Sequence, residues 1–359
     1  MFYNEMTERL RIEYPIIQAP MAGGITTAEL VAAVSRAGAI GMIGAGYMTP
    51  EQMRSQIVEV KERTKKPFGV NLFVPNEFEA SEEEIIRANG LLNPLREELN
   101  LPAKELAVVP DYEQLKKTFH EQIKVIIEES IPICTFTFGI PSSEIIAELK
   151  QANTLLIGTA TTVEEAVVNE ERGMDMVVVQ GSEAGGHRGN FLPGAIEGSI
   201  GSMSLIPQVV DHVSIPVIAA GGIMDGRGLM AAVCLGAKGV QLGTAFLTCA
   251  ESGAQDVHKE AVLHANENDT TLTRSFSGKW ARGIHNRFTE VMQKHEAGLP
   301  EFPVQNTLTQ DIRKVSSANE NPDYLSLWSG QSPRLARSLS AESLIKAILS
   351  EAEEIKRTQ

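Results

Sequence analysis

Eight short apolar runs rich in β-forming residues, each followed by a helix-like pattern, limit what this chain can fold into more than any other feature. They are PIIQAP (15–20), AIGMIGA (39–45), PFGVNLF (67–73), IPICTFTFG (131–139), TLLIGTA (154–160), MVVVQG (176–181), IPVIAAGG (215–222) and GVQLGTAF (239–246). Strands that alternate with helices pair in parallel, because each helix carries the chain back across the sheet. Repeated eight times, the alternation predicts an α/β fold, a (β/α)8 barrel, with an open doubly wound sheet as the alternative. Helix starts punctuate the same stretches. Thr26 stands three before Glu29, Ser81 three before Glu84 and Thr162 three before Glu165, each a capping-box spacing, and Thr49 precedes Pro50. Gly38, Gly173 and Gly236 fall where helices should end.

Two stretches exceed a minimal barrel. Residues 76–110 add an acidic helical excursion before the third barrel helix, expected at about 111–129. Residues 250–335 interpose a polar region between the eighth strand and SAESLIKAILSEAEEIKR, a good final amphipathic helix. The second insertion lies at the carboxyl end of a strand, the active-site side of such barrels. The expected organisation is a barrel from 1–249 plus 336–359, with 250–335 as a subdomain covering the substrate.

Side chains at the strand ends suggest what the barrel mouth holds. AAGGIMDGRG and QLGTAF follow the last two strands, and their small residues let backbone N–H groups approach an anion. A lone glycine turn is usually only a turn, but in barrels this consecutive pair of loops commonly forms a phosphate site. A sugar phosphate, a nucleotide or FMN would each suit it. IIQAPMAGG ends the first strand with Met21, Ala22 and Gly23, a flat lining on which a planar ring can rest. Asn71 and Gln180 close the third and sixth strands with neutral amides able to hydrogen-bond a heterocycle. QGSEAGGHRG (180–189) then places His187 in a loop nearly stripped of side chains, beside that site, as a general base or a donor to developing charge. Glu183 and Arg188 are nearby charged alternatives, expected to be solvated.

Bulk properties exclude several classes. With 32 basic and 46 acidic residues the net charge is -14, against broad binding to nucleic acid or anionic membranes. Cys134, Cys234 and Cys249 lie in apolar contexts without metal-ligand spacing, and an odd count without a framework suits a reduced cytoplasm. The segment MFYNEMTERLRIEYP has no apolar core of signal-peptide type, and no run is long enough to span a bilayer. A cytoplasmic protein is expected, with no metal and an open oligomeric state.

PIIQAPMAGGITT, QGSEAGGHRG, PVIAAGGIMDGRG, GAKGVQLGTAFL and TRSFSGKWARGIHN together resemble the nitronate monooxygenase family, formerly 2-nitropropane dioxygenases, over most of the chain. The resemblance implies an FMN-binding barrel with a smaller substrate domain. The implied activity is oxidation of alkyl nitronates, such as propionate 3-nitronate, by FMN and O2 to a carbonyl compound and nitrite, a detoxification. By position it implies FMN contacts from Asn71, Gln180, Gly185, Gly222, Gln241, Leu242, Gly243 and Thr244, with Met21, Ala22 and Gly23 along the flavin face. His187 matches the family's active-site histidine. Lys279, Arg282 and Arg287 are candidate positive charges toward substrate, and LWSGQS (327–332) resembles a loop closing over the flavin. FMN-dependent enoyl-acyl-carrier-protein reductases of type II, which share a similar glycine–glycine–histidine loop, are the nearest rival. A binding barrel without turnover is the second.

Overall fold

Strands buried on both faces need helices on one side and a filled barrel on the other, and the apolar runs meet that demand. The computed structural model describes residues 3–192 and 199–358. Its strands are β1 (Ile16–Gln18), β2 (Gly41–Gly44), β3 (Phe68–Phe73), β4 (Ile133–Thr137), β5 (Leu155–Ala160), β6 (Met176–Gln180), β7 (Val217–Ala220) and β8 (Gly239–Leu242). All pair in parallel in the order β1-β8-β7-β6-β5-β4-β3-β2. A single bridge from Ile17 to Ile40, just before β2, brings the two ends together, so the sheet is a nearly closed (β/α)8 barrel and not an open one. Ile17, Met42, Ile133, Ile157, Met176, Val178 and Ile218 fill its interior, and Met6 from the helix Glu5–Leu10 reaches Gly239 at the amino end of β8.

The outer ring is α1 (Ala28–Arg36), α2 (Pro50–Arg63), α3 (Tyr112–Glu128), α4 (Ser143–Gln151), α5 (Val163–Glu171), α6 (Ser202–Val210), α7 (Gly226–Cys234) and α8 (Ala341–Thr358). Thr49 and Pro50 start α2 with a full capping box completed by Gln52, and Ser81 with Glu84 does the same for the helix Glu82–Glu98. Two starts differ from expectation. Thr26 is drawn away to Met21 O and Gly44 N, so Thr27 caps α1 by accepting from Leu30 N. Thr162 caps α5, but the Glu165 side chain turns back to Thr161 N and Oγ1, and forward to Phe191 N, instead of closing a capping box. Gly38, Gly173 and Gly236 follow α1, α5 and α7 in left-handed backbone, φ 87°, 92° and 102°.

A cap sits over the carboxyl ends of the strands. Its core joins Ile85, Leu92 and Leu95 of the helix Glu82–Glu98 to Phe276, Phe288, Leu308 and Ile312, so the excursion before α3 packs with the region after β8. Phe276 and Phe288 stack with centroids 4.2 Å apart. Arg96 is fully buried there, donating to Asp311, Asn93 and Leu308 O. The cap also carries a small antiparallel sheet, Thr270–Thr273 with Ala281–Ile284, whose third strand is Gly186–His187.

Candidate functional site

That third strand explains how an almost bare loop holds a histidine still. His187 pairs with Ala281 and Gly186 with Arg282, while Arg188 N donates to Trp280 O. From the barrel side, Gln180 Nε2 donates to His187 O at 3.0 Å and Gln180 Oε1 accepts from Gly189 N at 2.8 Å. Arg188 is not solvated, as a loop charge would be. It is buried and donates to the carbonyls of Gly181 and Gln180, locking the end of β6. Glu183 is likewise committed, accepting from the backbone and hydroxyl of Ser202 at the start of α6.

His187 opens onto a cavity of about 820 Å³ at the carboxyl ends of the strands. Met21, Ala22, Gly23, Asn71, Gln180, Gly185, Gly222, Gln241, Gly243 and Thr244 line the same cavity. Leu242 does not. Strand alternation turns it outward into the layer between barrel and helices, where it is buried. Asn71 Nδ2 donates to Thr135 Oγ1 at 2.9 Å and Thr137 Oγ1 at 3.0 Å. Its amide plane is fixed, and Oδ1 is the atom left for a ligand. Both polar ends of Gln180 are already used in the loop.

The glycines serve three different ends. Gly222 adopts φ 69°, which a side chain tolerates poorly. At Gly185 an added Cβ would sit 2.5 Å from Gly330 N, so its bareness admits the 327–332 segment. That segment is tied down by Gly330 N to Thr244 Oγ1 at 2.9 Å and by Gln331 N to Glu183 O at 2.9 Å. At Gly23 an added Cβ would meet nothing within 4 Å and would project into open space beside the mouth. A bare floor, small loops after β7 and β8 and one free amide acceptor suit a planar heterocycle with an anionic tail.

Around His187 the wall is aromatic: ring centroids of Phe138, Phe302 and Trp328 lie 5.9, 6.0 and 5.3 Å away. Phe138 holds its place in left-handed backbone, φ 72°, an uncommon state for a bulky residue and one found where a site over-determines its geometry. The imidazole lines the cavity and is half-buried behind this wall. Burial, aided by the charges of Lys279 and Arg313, holds it down to about 3, so it is neutral at physiological pH. His258 lines the same cavity, donates to Trp328 O at 3.0 Å and is lowered by burial to about 4.

The three cations singled out in the inserted region stand elsewhere. Lys279 lies behind Phe138, 5.1 Å from its ring centre, with Nζ on Asn190 O at 3.0 Å, and burial lowers it to about 8. Arg282 donates to Ser182 O at 2.9 Å, and Arg287 pairs with Glu98 on the outside of the cap. The cations lining the cavity are Arg313 and Lys314, on the helix Gln310–Ala318. No local signal marked them, since DIRKVSSA reads as an ordinary amphipathic helix. Among the described residues no helix is long and apolar enough to cross a membrane, and no group of three or more His, Cys, Asp or Glu is placed to hold a metal ion.

Comparison with known proteins agrees with this geometry. A family model described as nitronate monooxygenase matches residues 4–351. A probable nitronate monooxygenase of Staphylococcus haemolyticus is 54% identical over 352 residues, covering 97% of each chain. Among solved structures, nitroalkane oxidase from Streptomyces ansochromogenes superposes with a TM-score of 0.90 at 36% identity, covering 98% of this chain and 99% of that one. FabK from Thermotoga maritima superposes with a TM-score of 0.76 at 32% identity, covering 99% and 98%.

Proposed function

Because the chain belongs to the nitronate monooxygenase family, and so to the flavin-dependent oxidoreductases acting on small molecules, we propose that its cavity binds FMN and that it oxidises alkyl nitronates with O2 to a carbonyl compound and nitrite. One observation carries this reading: His187 and the bare loops after β7 and β8 line a single cavity. When bound, FMN supplies the redox chemistry, accepting electrons from the carbanion-like substrate and passing them to O2.

The chain's own residues bind, shield and place. Backbone N–H groups of Gly222, Gly243 and Thr244 would face the phosphate, and the short helix Thr244–Leu247 adds an amino-terminal dipole. Met21, Ala22 and Gly23 would carry one face of the ring, with Asn71 and Gln241 at its polar edge. Phe138, Phe302 and Trp328 pack around His187 and limit its contact with water. We assign residues 250–335 the covering role, since they bring Trp328 and Arg313 over the mouth. A histidine held so far below its ordinary range is a weak proton acceptor from a neutral nitroalkane until an anion forms beside it. A nitronate arrives with that negative charge and needs no proton removed, which favours nitronates over neutral nitroalkanes.

The test is an absorbance spectrum of the purified protein, followed by oxygen uptake with ethylnitronate and, in parallel, NADH oxidation with an enoyl thioester. Flavin absorbance and nitronate-dependent uptake are expected. NADH turnover with the thioester and none with nitronate would transfer the protein to the enoyl reductase reading. His187→Ala is expected to keep FMN and to lose about 10²–10⁴-fold in turnover of neutral nitroalkanes, with a smaller loss on pre-formed nitronates. A loss under threefold on both would remove His187 from the chemistry.

A further inference from the structure

His187 touches a hydroxyl that no step above uses. Its Nε2 lies 2.8 Å from Oγ of Ser277, a residue only 1% exposed on the cap segment SFSGKW. The same Oγ stands 3.1 Å from Lys279 O and 3.3 Å from Lys279 N. A serine hydroxyl owns one hydrogen and two lone pairs, so these three neighbours can be satisfied together in only one way. Lys279 O is a carbonyl and can only accept, so the hydroxyl hydrogen goes there. Lys279 N–H can only donate, and takes one lone pair. The remaining lone pair faces His187 Nε2, which must therefore carry a hydrogen. In the opposite assignment the hydroxyl donates to Nε2, and two oxygens then meet at 3.1 Å with no hydrogen between them. Among the described residues no backbone N–H outside the regular elements donates to Lys279 O, which would then be left unsatisfied.

We propose that Ser277, through its closed set of hydrogen bonds to Lys279, is the positioning residue that fixes His187 as the Nε2–H tautomer and leaves Nδ1 as the proton-accepting nitrogen turned to the cavity. Ser277 does not itself line the cavity, so the nitrogen it engages is the one facing away from substrate. Backbone pairing of His187 with Ala281 sets where the ring begins, and the serine sets how it is turned. The relation is that of an orienting partner to a catalytic imidazole, with a neutral hydroxyl where a carboxylate often serves. A neutral partner suits this enclosure, because a carboxylate in its place would draw a proton onto the ring and remove its accepting lone pair. The nitrogen that takes a proton from a neutral nitroalkane is then Nδ1, leaving the bound nitronate, and that proton is returned to solvent when the carbonyl product and nitrite are released. This inference rests on His187 being the base of the proposed reaction.

The direct test is nitrogen NMR of the FMN-loaded protein carrying 15N-histidine, with the His187 signals identified by their loss in His187→Ala. At pH 7 a protonated Nε2 and a bare Nδ1 are expected. A protonated Nδ1 overturns the proposal whatever the activity shows. In Ser277→Ala the two nitrogens should lose this fixed assignment, and the ratio of kcat/KM on nitroethane to that on ethylnitronate should fall at least about 10-fold, the scale of an orienting partner. Ser277→Thr, which keeps the hydroxyl, should recover most of the ratio. A ratio unchanged in Ser277→Ala with flavin retained also overturns the proposal. Should His187→Ala turn over both substrates normally, the base assignment fails, while the NMR result still decides the tautomer.

Discussion

Arg313 creates a charge imbalance inside the cavity. One of its terminal nitrogens is held by Asn306 O at 2.7 Å and Asn306 Oδ1 at 2.9 Å, while its Nε is buried without a partner among the described residues. The nearby Asp311 is committed to Arg96 and Lys104. Burial lowers the guanidinium from its ordinary range but leaves it charged, and a buried charge without a counter-ion is costly until an anion arrives. Arg313→Met should therefore raise KM for a nitronate by about 10-fold or more, the worth of one hydrogen bond to a charged group. KM for a neutral nitroalkane of the same size should move less, and steady-state oxygen uptake with the matched pair reads the difference. Equal shifts would make Arg313 a packing residue. This cation was invisible in the sequence for a physical reason. His187 and the loops after β7 and β8 announce themselves locally, by glycines at strand ends. Arg313 reaches the mouth only because its helix folds back over the barrel, whereas Lys279, Arg282 and Arg287, close in sequence to the histidine-gripping strand, spend their charges on Asn190, Ser182 and Glu98.

At the scale of elements, the barrel was legible and the cap was not. Each barrel strand is an apolar run bounded by turns, so its identity is a local matter. TTLT and ARGI have no such pattern. Thr270–Thr273 and Ala281–Ile284 are strands because they pair with each other and with Gly186–His187, a long-range event. The same holds for the helix Glu82–Glu98, whose apolar residues find their partners about 190 to 220 positions later in the cap core. Arg96 is the polar fastener of that contact. It is fully buried and bonds Asp311 at 3.0 Å, Asn93 Oδ1 at 2.9 Å and Leu308 O at 2.8 Å, so it holds the helix that carries Arg313. Arg96→Ala strands Leu308 O and weakens the hold on Asp311, at a cost of about 3 kcal/mol. The loss should be local. Hydrogen exchange across 304–318 should quicken while β4 to β6 stay protected, and KM should rise with the loosened Arg313. Uniform exchange over the whole chain would mean that cap and barrel unfold as one unit.

At the scale of the whole molecule, two histidines kept neutral by enclosure tie stability to pH. His187 at the seam and His258 under the Trp328 carbonyl are lowered by burial to about 3 and about 4, from an ordinary value of 6.5. Between those values the unfolded chain binds protons that the folded one refuses, so folding stability is fully present above about pH 7 and falls as pH drops below 6.5. The carboxylates lowered by partners, such as Glu98 through Tyr324 and Glu129 through Lys61, act in the same direction, but only as pH nears their ordinary value of 4.5. A comparison of pH 7 with pH 5 therefore weighs the histidines most. At pH 5 each contributes a loss of about 2 kcal/mol, from 1.36 kcal/mol per unit of displaced titration. His258→Gln keeps a donor for Trp328 O but has nothing to titrate. Denaturant unfolding at the two pH values should show this variant losing about 2 kcal/mol less than the parent on acidification. Equal losses would place His258 in contact with bulk water, and the cavity mouth would then be far more open than its aromatic wall and covering cap require.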